Sequence, residues 1–327
     1  MIVRSDTLRA PTSDPFRMNR PHHRLLLLPL LGGVALTAAA QLPPVAMPPA
    51  PSASTATLPQ PPRLAPAATV PPAPMHAVPA HAASTPRPER TDPAAARTIE
   101  RPLFGAITLY APKGPVRGLA LFLSGDGGWN LGVWQMAQEA AAKGMWVAGF
   151  STPHLLASLD HDPAPCTDAA GVLKGLAADL EQTLGLPRTL PVGLIGYSSG
   201  ATVVYAALVQ AQPAEFQGGI SLGFCPDLVF RKRYCPGAGD LTWTRAAKPP
   251  HTLSFNRNPH VAAPWTILQG SIDEVCAPHF TPDFATGVIG ARGVLLPHVG
   301  HGFGVPRNWL PQYRQALDEL LAGQPTP

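Results

Sequence analysis

Charge is scarce in this chain: 13% of its 327 residues are Asp, Glu, Lys or Arg, and aromatic residues make up another 7%. The formal excess of +4 belongs to the N-terminal third, because from Glu100 onward 15 Lys and Arg face 16 Asp and Glu. A folded part so nearly neutral offers no basic stripe. The triplet "RKR" at 231–233 is too short to make one, so nucleic acid is excluded as a partner. None of the four cysteines forms a C-x-x-C pair. His154, His161, His251, His260 and His279 are scattered without ligand spacing, so neither a metal nor a cofactor is expected. An apolar run of the roughly 20 residues that a membrane span needs is missing too.

The longest apolar run, "LLLLPLLGGVALTAAA" at 25–40, follows the basic "MNRPHHR" and ends in Ala38-Ala39-Ala40. A basic flank, a short apolar stretch and small residues at its end describe a secretory signal over 1–40, cut after Ala40, and so a periplasmic protein. An uncleaved signal anchor is the rival reading. Residues 41–98 hold much of the chain's proline and almost no aromatic residue, and they show no apolar periodicity. Such a segment buries too little surface to offset its ordering entropy, so a disordered linker is expected there and one folded domain over 99–325.

Within that domain, strand-like and helix-like patterns alternate. Strands are expected at 106–111, 118–125, 145–151, 191–196, 216–223, 264–270 and 292–298. Helices are expected at 133–144, 169–185, 201–211 and 308–323. Alternation of this kind favours a mostly parallel sheet with helices on both faces, the α/β class. Cys166, Cys225, Cys235 and Cys276 all lie in the domain, an even count that suits two disulfides in an oxidising compartment. Of the three pairings, closeness in sequence favours Cys225 with Cys235, which leaves Cys166 with Cys276.

The stretch "GYSSG" at 196–200 joins the strand "PVGLIG" to the helix "ATVVYAALVQA". G-x-S-x-G at a strand-to-helix turn is the nucleophile elbow of the α/β-hydrolase fold. Gly196 and Gly200 permit the tight turn, Ser198 is lifted above the sheet edge, and the amide of Ser199 faces a developing oxyanion. The acid and base should follow in that order. Asp273 lies in "SIDEVC" after one strand, and His301 in "VGHGFGVPRNW" after the next. Asp227 is the second choice for the acid, and His298 reads as a packed or hydrogen-bonded loop histidine. The small-residue loop "SGDGGW" offers Asp126 or Gly127 as the second oxyanion donor, with Trp129 either walling the pocket or packing.

In this order and spacing, "FLSGDGGW", "GYSSG", "LQGSIDEVC" and "VGHGFGVPRNW" resemble the bacterial virulence-protein family of VirJ and the C-terminal half of AcvB, over residues 101–325. The resemblance implies a periplasmic serine hydrolase with Ser198, Asp273 and His301 as its triad. For AcvB-like members it implies removal of the lysyl group from lysyl-phosphatidylglycerol, a phospholipid-derived ester met at the periplasmic membrane face. A lysyl cation would call for a carboxylate near the pocket, with Asp126, Asp160, Asp162 and Glu274 available. AcvB has a further N-terminal domain where this chain has proline-rich sequence, which leaves the substrate open. A generic carboxylesterase or peptidase is the alternative within the enzyme class. A non-catalytic factor binding secretion-system proteins on a hydrolase fold is the alternative outside it.

Overall fold

The structure, a computed structural model, describes residues 92–247 and 252–323. The expected signal and most of the expected linker lie outside the described residues. Strand β3 (Gly118–Leu123) shows why the apolar runs become strands. Leu119, Leu121 and Leu123 enter the apolar cluster on one face, and Ala120 and Phe122 the cluster on the other. Side chains alternate with period two, so a strand covered on both faces must be apolar at every position. Strand β5 (Val192–Tyr197) repeats the pattern, with Leu194 and Ile195 on opposite faces.

Around these two lie β1 (Arg97–Arg101), β2 (Gly105–Tyr110), β4 (Met145–Phe150), β6 (Gly218–Leu222), β10 (His260–Gly270) and β11 (Ile289–Leu296). The eight pair in the order β1-β2-β4-β3-β5-β6-β10-β11, antiparallel only where β2 meets its neighbours. Helices α1 (Leu131–Ala142) and α6 (Leu310–Ala322) cover one face. Helices α2 (Thr152–His161), α3 (Ala169–Leu184) and α4 (Ser199–Gln210), with Phe284 of the short α5 (Phe280–Thr286), cover the other. This strand order between two helical layers is the α/β-hydrolase arrangement expected from the sequence. No described helix is long and apolar enough to cross a membrane.

Asp92, the first of the described residues, accepts hydrogen bonds through its side chain from the Ala94 amide (2.9 Å), the Tyr110 hydroxyl (2.8 Å) and Gln138 Nε2 (2.8 Å). Burial and the Asp92 carboxylate together push the Tyr110 phenol well above the ordinary tyrosine range.

Between β6 and β10 the chain leaves the sheet and forms a second, three-stranded antiparallel sheet. Its strands β7 (Asp227–Val229), β8 (Trp243–Arg245) and β9 (Thr252–Phe255) pair in the order β7-β9-β8. Both disulfides fasten this excursion, and neither is the expected one. Cys166 pairs with Cys235 and Cys225 with Cys276, at Cα separations of 5.1 and 5.0 Å. The sheet explains the correction. Cys225 follows β6 and Cys276 follows β10, and these adjacent parallel strands end at the same rim, where the Gly223 amide donates to Leu268 O. Residues 166–167 run beside 233–235, with Thr167 and Cys235 hydrogen-bonded across the gap. Spatial neighbours, rather than neighbours in sequence, decide the pairing.

Candidate active site

The turn between β5 and α4 is as tight as its glycines require. A Cβ on Gly196 would lie 2.3 Å from the carbonyl oxygen of Gly200, and one on Gly200 would lie 2.4 Å from the carbonyl oxygens of Leu123 and Ser124. At the apex Ser198 adopts φ 54° and ψ −122°, a conformation that costs a non-glycine residue about 1–3 kcal/mol. Its neighbours hold it there: the Ser198 amide donates to Leu222 O at 2.9 Å, and its carbonyl accepts the Ala201 amide at 2.8 Å. The chain thus presents one hydroxyl at the carboxyl rim of the sheet.

Two loops converge on that hydroxyl. His301, in the loop between β11 and α6, lies with Nε2 3.0 Å from Ser198 Oγ and Nδ1 2.9 Å from Asp273 Oδ2. Asp273 is 3% exposed and sits in the turn after β10, where the amides of Val275 (2.9 Å) and Cys276 (2.8 Å) donate to Oδ1. Tyr197, immediately before the serine, donates its hydroxyl to the His301 carbonyl at 2.9 Å and tilts its ring against the imidazole at 5.4 Å. Burial, then the charges of Asp273 and Asp126, raise the Tyr197 phenol above its ordinary value, so it remains a neutral donor. Hydroxyl, imidazole and carboxylate form one continuous hydrogen-bonded line that can move a proton from oxygen to nitrogen and stabilise the imidazolium that results.

The loop after β3 closes the other side. A Cβ on Gly125 would lie 3.0 Å from Ser198 Cβ, so this backbone passes directly over the nucleophile. Ser124 fixes it: the Thr152 amide donates to Ser124 Oγ (3.0 Å) and the Thr152 hydroxyl to the Ser124 carbonyl (2.6 Å). This brace, which pins the loop to the start of α2, was not foreseen from the sequence. Asp126 and Gly127 are exposed in the turn that the Gly128 amide closes onto Gly125 O (3.0 Å). Ser199 opens α4, where the first amides have no intrahelical acceptor.

The remaining residues singled out from the sequence separate clearly. Trp129 packs on Tyr110 and Phe122 and lies over Gly149, where an added Cβ would meet its ring at 1.9 Å. Asp160 accepts the Lys232 amide (3.0 Å) in an open cleft lined also by Asp162 and Arg231 and by none of the three converging residues. Glu274 is exposed beside Asp273. Asp227 is exposed at the start of β7, paired with Ser254, while Asp273 holds the place beside the imidazole. His298 is an exposed turn residue with φ 58°, its amide donating to Ser271 Oγ. Among the described residues no group of three His, Cys, Asp or Glu side chains is placed to hold a metal ion.

No protein-family model matches the chain, and no curated protein does. Solved structures do. The chain is similar to Est1E from Butyrivibrio proteoclasticus (13% identity, TM-score 0.46), covering 70% of this chain and 99% of that one. It is similar to XC6422 from Xanthomonas campestris, described as an α/β serine hydrolase without lid (20% identity, TM-score 0.43, 72% and 99%). It is also similar to Est2, a thermophilic esterase from Thermogutta terrifontis (15% identity, TM-score 0.47, 70% and 94%).

Proposed function

We propose that this protein is a serine hydrolase of carboxylic esters, with Ser198 as nucleophile, His301 as general base and acid, and Asp273 as the group that orients and stabilises the imidazole. The observation that carries this reading is the unbroken line from Ser198 Oγ through His301 to Asp273 Oδ2, at 3.0 and 2.9 Å. In the first half-reaction Ser198 Oγ attacks the ester carbonyl while its proton passes to His301 Nε2. The oxyanion is met by the Ser199 amide and by that of Asp126 or Gly127. Collapse expels the alcohol, which takes the proton from His301, and leaves an acyl-enzyme. Water, deprotonated by the same imidazole, then adds to the acyl carbon, and collapse releases the acid as Ser198 Oγ takes the proton back from His301.

For the substrate we propose the aminoacyl ester of lysyl-phosphatidylglycerol, hydrolysed on the periplasmic face of the membrane. The motif resemblance to the AcvB-like proteins supports this. So does the exposure of Ile272, Val275 and Val305, three large apolar side chains on the two loops that bear Asp273 and His301, with the exposed carboxylates of Glu274 on the first of these loops and Asp126 on the loop after β3. Two disulfides suit an oxidising compartment. Ser198→Ala should lower turnover of a p-nitrophenyl ester by about 10⁴-fold or more with the unfolding midpoint unchanged. Retained turnover by this variant would falsify the hydrolase reading. Release of lysine from lysyl-phosphatidylglycerol vesicles by the wild type, and not by the variant, tests the substrate. Labelling of Ser198 by a fluorophosphonate separates an enzyme from a binding factor built on the same fold.

A further inference from the structure

The turn that bears Asp273 is enclosed more tightly than one carboxylate needs. Besides the two backbone amides on Oδ1, Oδ2 accepts a second donor in addition to His301: Gln269 Nε2, at 3.0 Å. Gln269 is fully buried near the end of β10, behind the largely apolar Trp265–Leu268. Its Nε2 also donates to the Cys276 carbonyl (2.7 Å), and its Oε1 accepts the Thr281 hydroxyl (3.3 Å). Cys276 is therefore bound to the carboxylate through its amide, to Gln269 through its carbonyl, and to Cys225 through its sulfur. Cys225 in turn lies two residues beyond Gly223, where an added Cβ would sit 3.3 Å from the imidazole of His301. The links run from imidazole to carboxylate, through Gln269 and the disulfide, and back beneath the imidazole.

We propose that Gln269 is a positioning residue for the triad, holding the Asp273 carboxylate so that Oδ2 meets His301, with the Cys225–Cys276 bridge fixing the turn on which both depend. This inference rests on the hydrolase reading above and names what keeps its acid in place. Buried amides that orient a reacting group act through geometry and through competition for its lone pairs. Here the Gln269 N–H shares with His301 the oxygen that stabilises the imidazolium. The groups facing that imidazole are Asp273 from the turn after β10, Ser198 from the elbow and the Tyr197 phenol from β5, with Asp126 acting on Tyr197 from the loop after β3.

Gln269→Leu keeps the volume and removes the amide. Turnover of p-nitrophenyl acetate should show kcat about tenfold lower with KM unchanged. The acidic limb of kcat/KM should move to lower pH, because Asp273, no longer held against Nδ1, stabilises the imidazolium less. NMR titration of the His301 ring protons should show the same displacement without substrate. A second pair of variants guards against a folding defect. Cys225→Ala/Cys276→Ala should lose more kcat than Cys166→Ala/Cys235→Ala, whose bridge lies away from the triad. Wild-type kcat together with an undisplaced His301 titration in Gln269→Leu would overturn the proposal, as would equal kcat in the two cysteine pairs. Failure of the underlying reading looks different: the wild type itself would turn over no ester and take up no fluorophosphonate, and the inference would fall with it.

Discussion

In the eight-stranded sheet, every residue of β3 and β6 is buried, and each strand's neighbours are fixed by a ladder of backbone hydrogen bonds. In the excursion between β6 and β10, strands of three or four residues expose one face, and order depends on two disulfides and on an aromatic cluster of Phe230, Tyr234 and Phe255. The first region is stabilised by apolar burial spread over many side chains, so it tolerates the loss of any one contact. The second has little core of its own and concentrates its stability in a few links. That difference teaches where each region is vulnerable: the sheet at its closest backbone approaches, the excursion at its fasteners.

The largest effect should come from the sheet side. Gly200→Ala places a methyl group 2.4 Å from two carbonyl oxygens that belong to β3 and its exit, and backbone cannot yield as a side-chain tip can. A loss of about 4 kcal/mol is expected by urea unfolding, together with loss of fluorophosphonate labelling as the elbow distorts. A tolerant variant would mean that the two strand ends are looser than the contact implies. On the excursion side, Cys166→Ser/Cys235→Ser should cost about 2–4 kcal/mol while leaving the labelling rate of Ser198 unchanged. If labelling falls with stability, the two regions are one cooperative unit.

The smallest effect probes the seam between them. Tyr205 of α4 donates its hydroxyl to Asn256 O (2.8 Å) and accepts the Asn258 amide (2.8 Å), joining the sheet's central helix to the end of the excursion. Burial pushes its pKa up to about 12, against the ordinary 10.0. Since the fold keeps the neutral phenol, this stability is fully present below pH 10 and is lost as pH rises from 10 towards 12. The loss should amount to about 2 kcal/mol. Thermal melts of the wild type across that range should fall more steeply than those of Tyr205→Phe, and parallel curves would remove Tyr205 from the seam.

The sequence made the sheet region readable because its physics is local and periodic. Apolar runs gave β3 to β6, β10 and β11 to within a few residues, and G-x-S-x-G gave the elbow, since only a strand-to-helix turn needs both glycines. Asp273 and His301 followed from chain order together with their places on loops at the ends of expected strands. The excursion was unreadable for the opposite reason: strands as short as β7 and β8 show no period, and the cysteine pairing depends on which strands end side by side. Helix α2 did leave signals, the N-cap Ser151 and Pro153 near its start, that were not read. Gln269 left one too, an amide next to the end of a largely apolar strand, four residues before the acid. The Ser124–Thr152 brace left none, because two hydroxyl residues 28 apart announce nothing until β3 and β4 lie next to each other.

Asp92 joins β2 to α1 through a single carboxylate. One oxygen, Oδ2, accepts from both Tyr110 and Gln138, so loss of that carboxylate would release the strand and the helix together. The reacting groups hang from β5, β10 and β11, in the other half of the sheet. Two strands, β4 and β3, stand between the strand that Asp92 fastens and β5, so a change at Asp92 would loosen β2 and α1 before it reached the elbow.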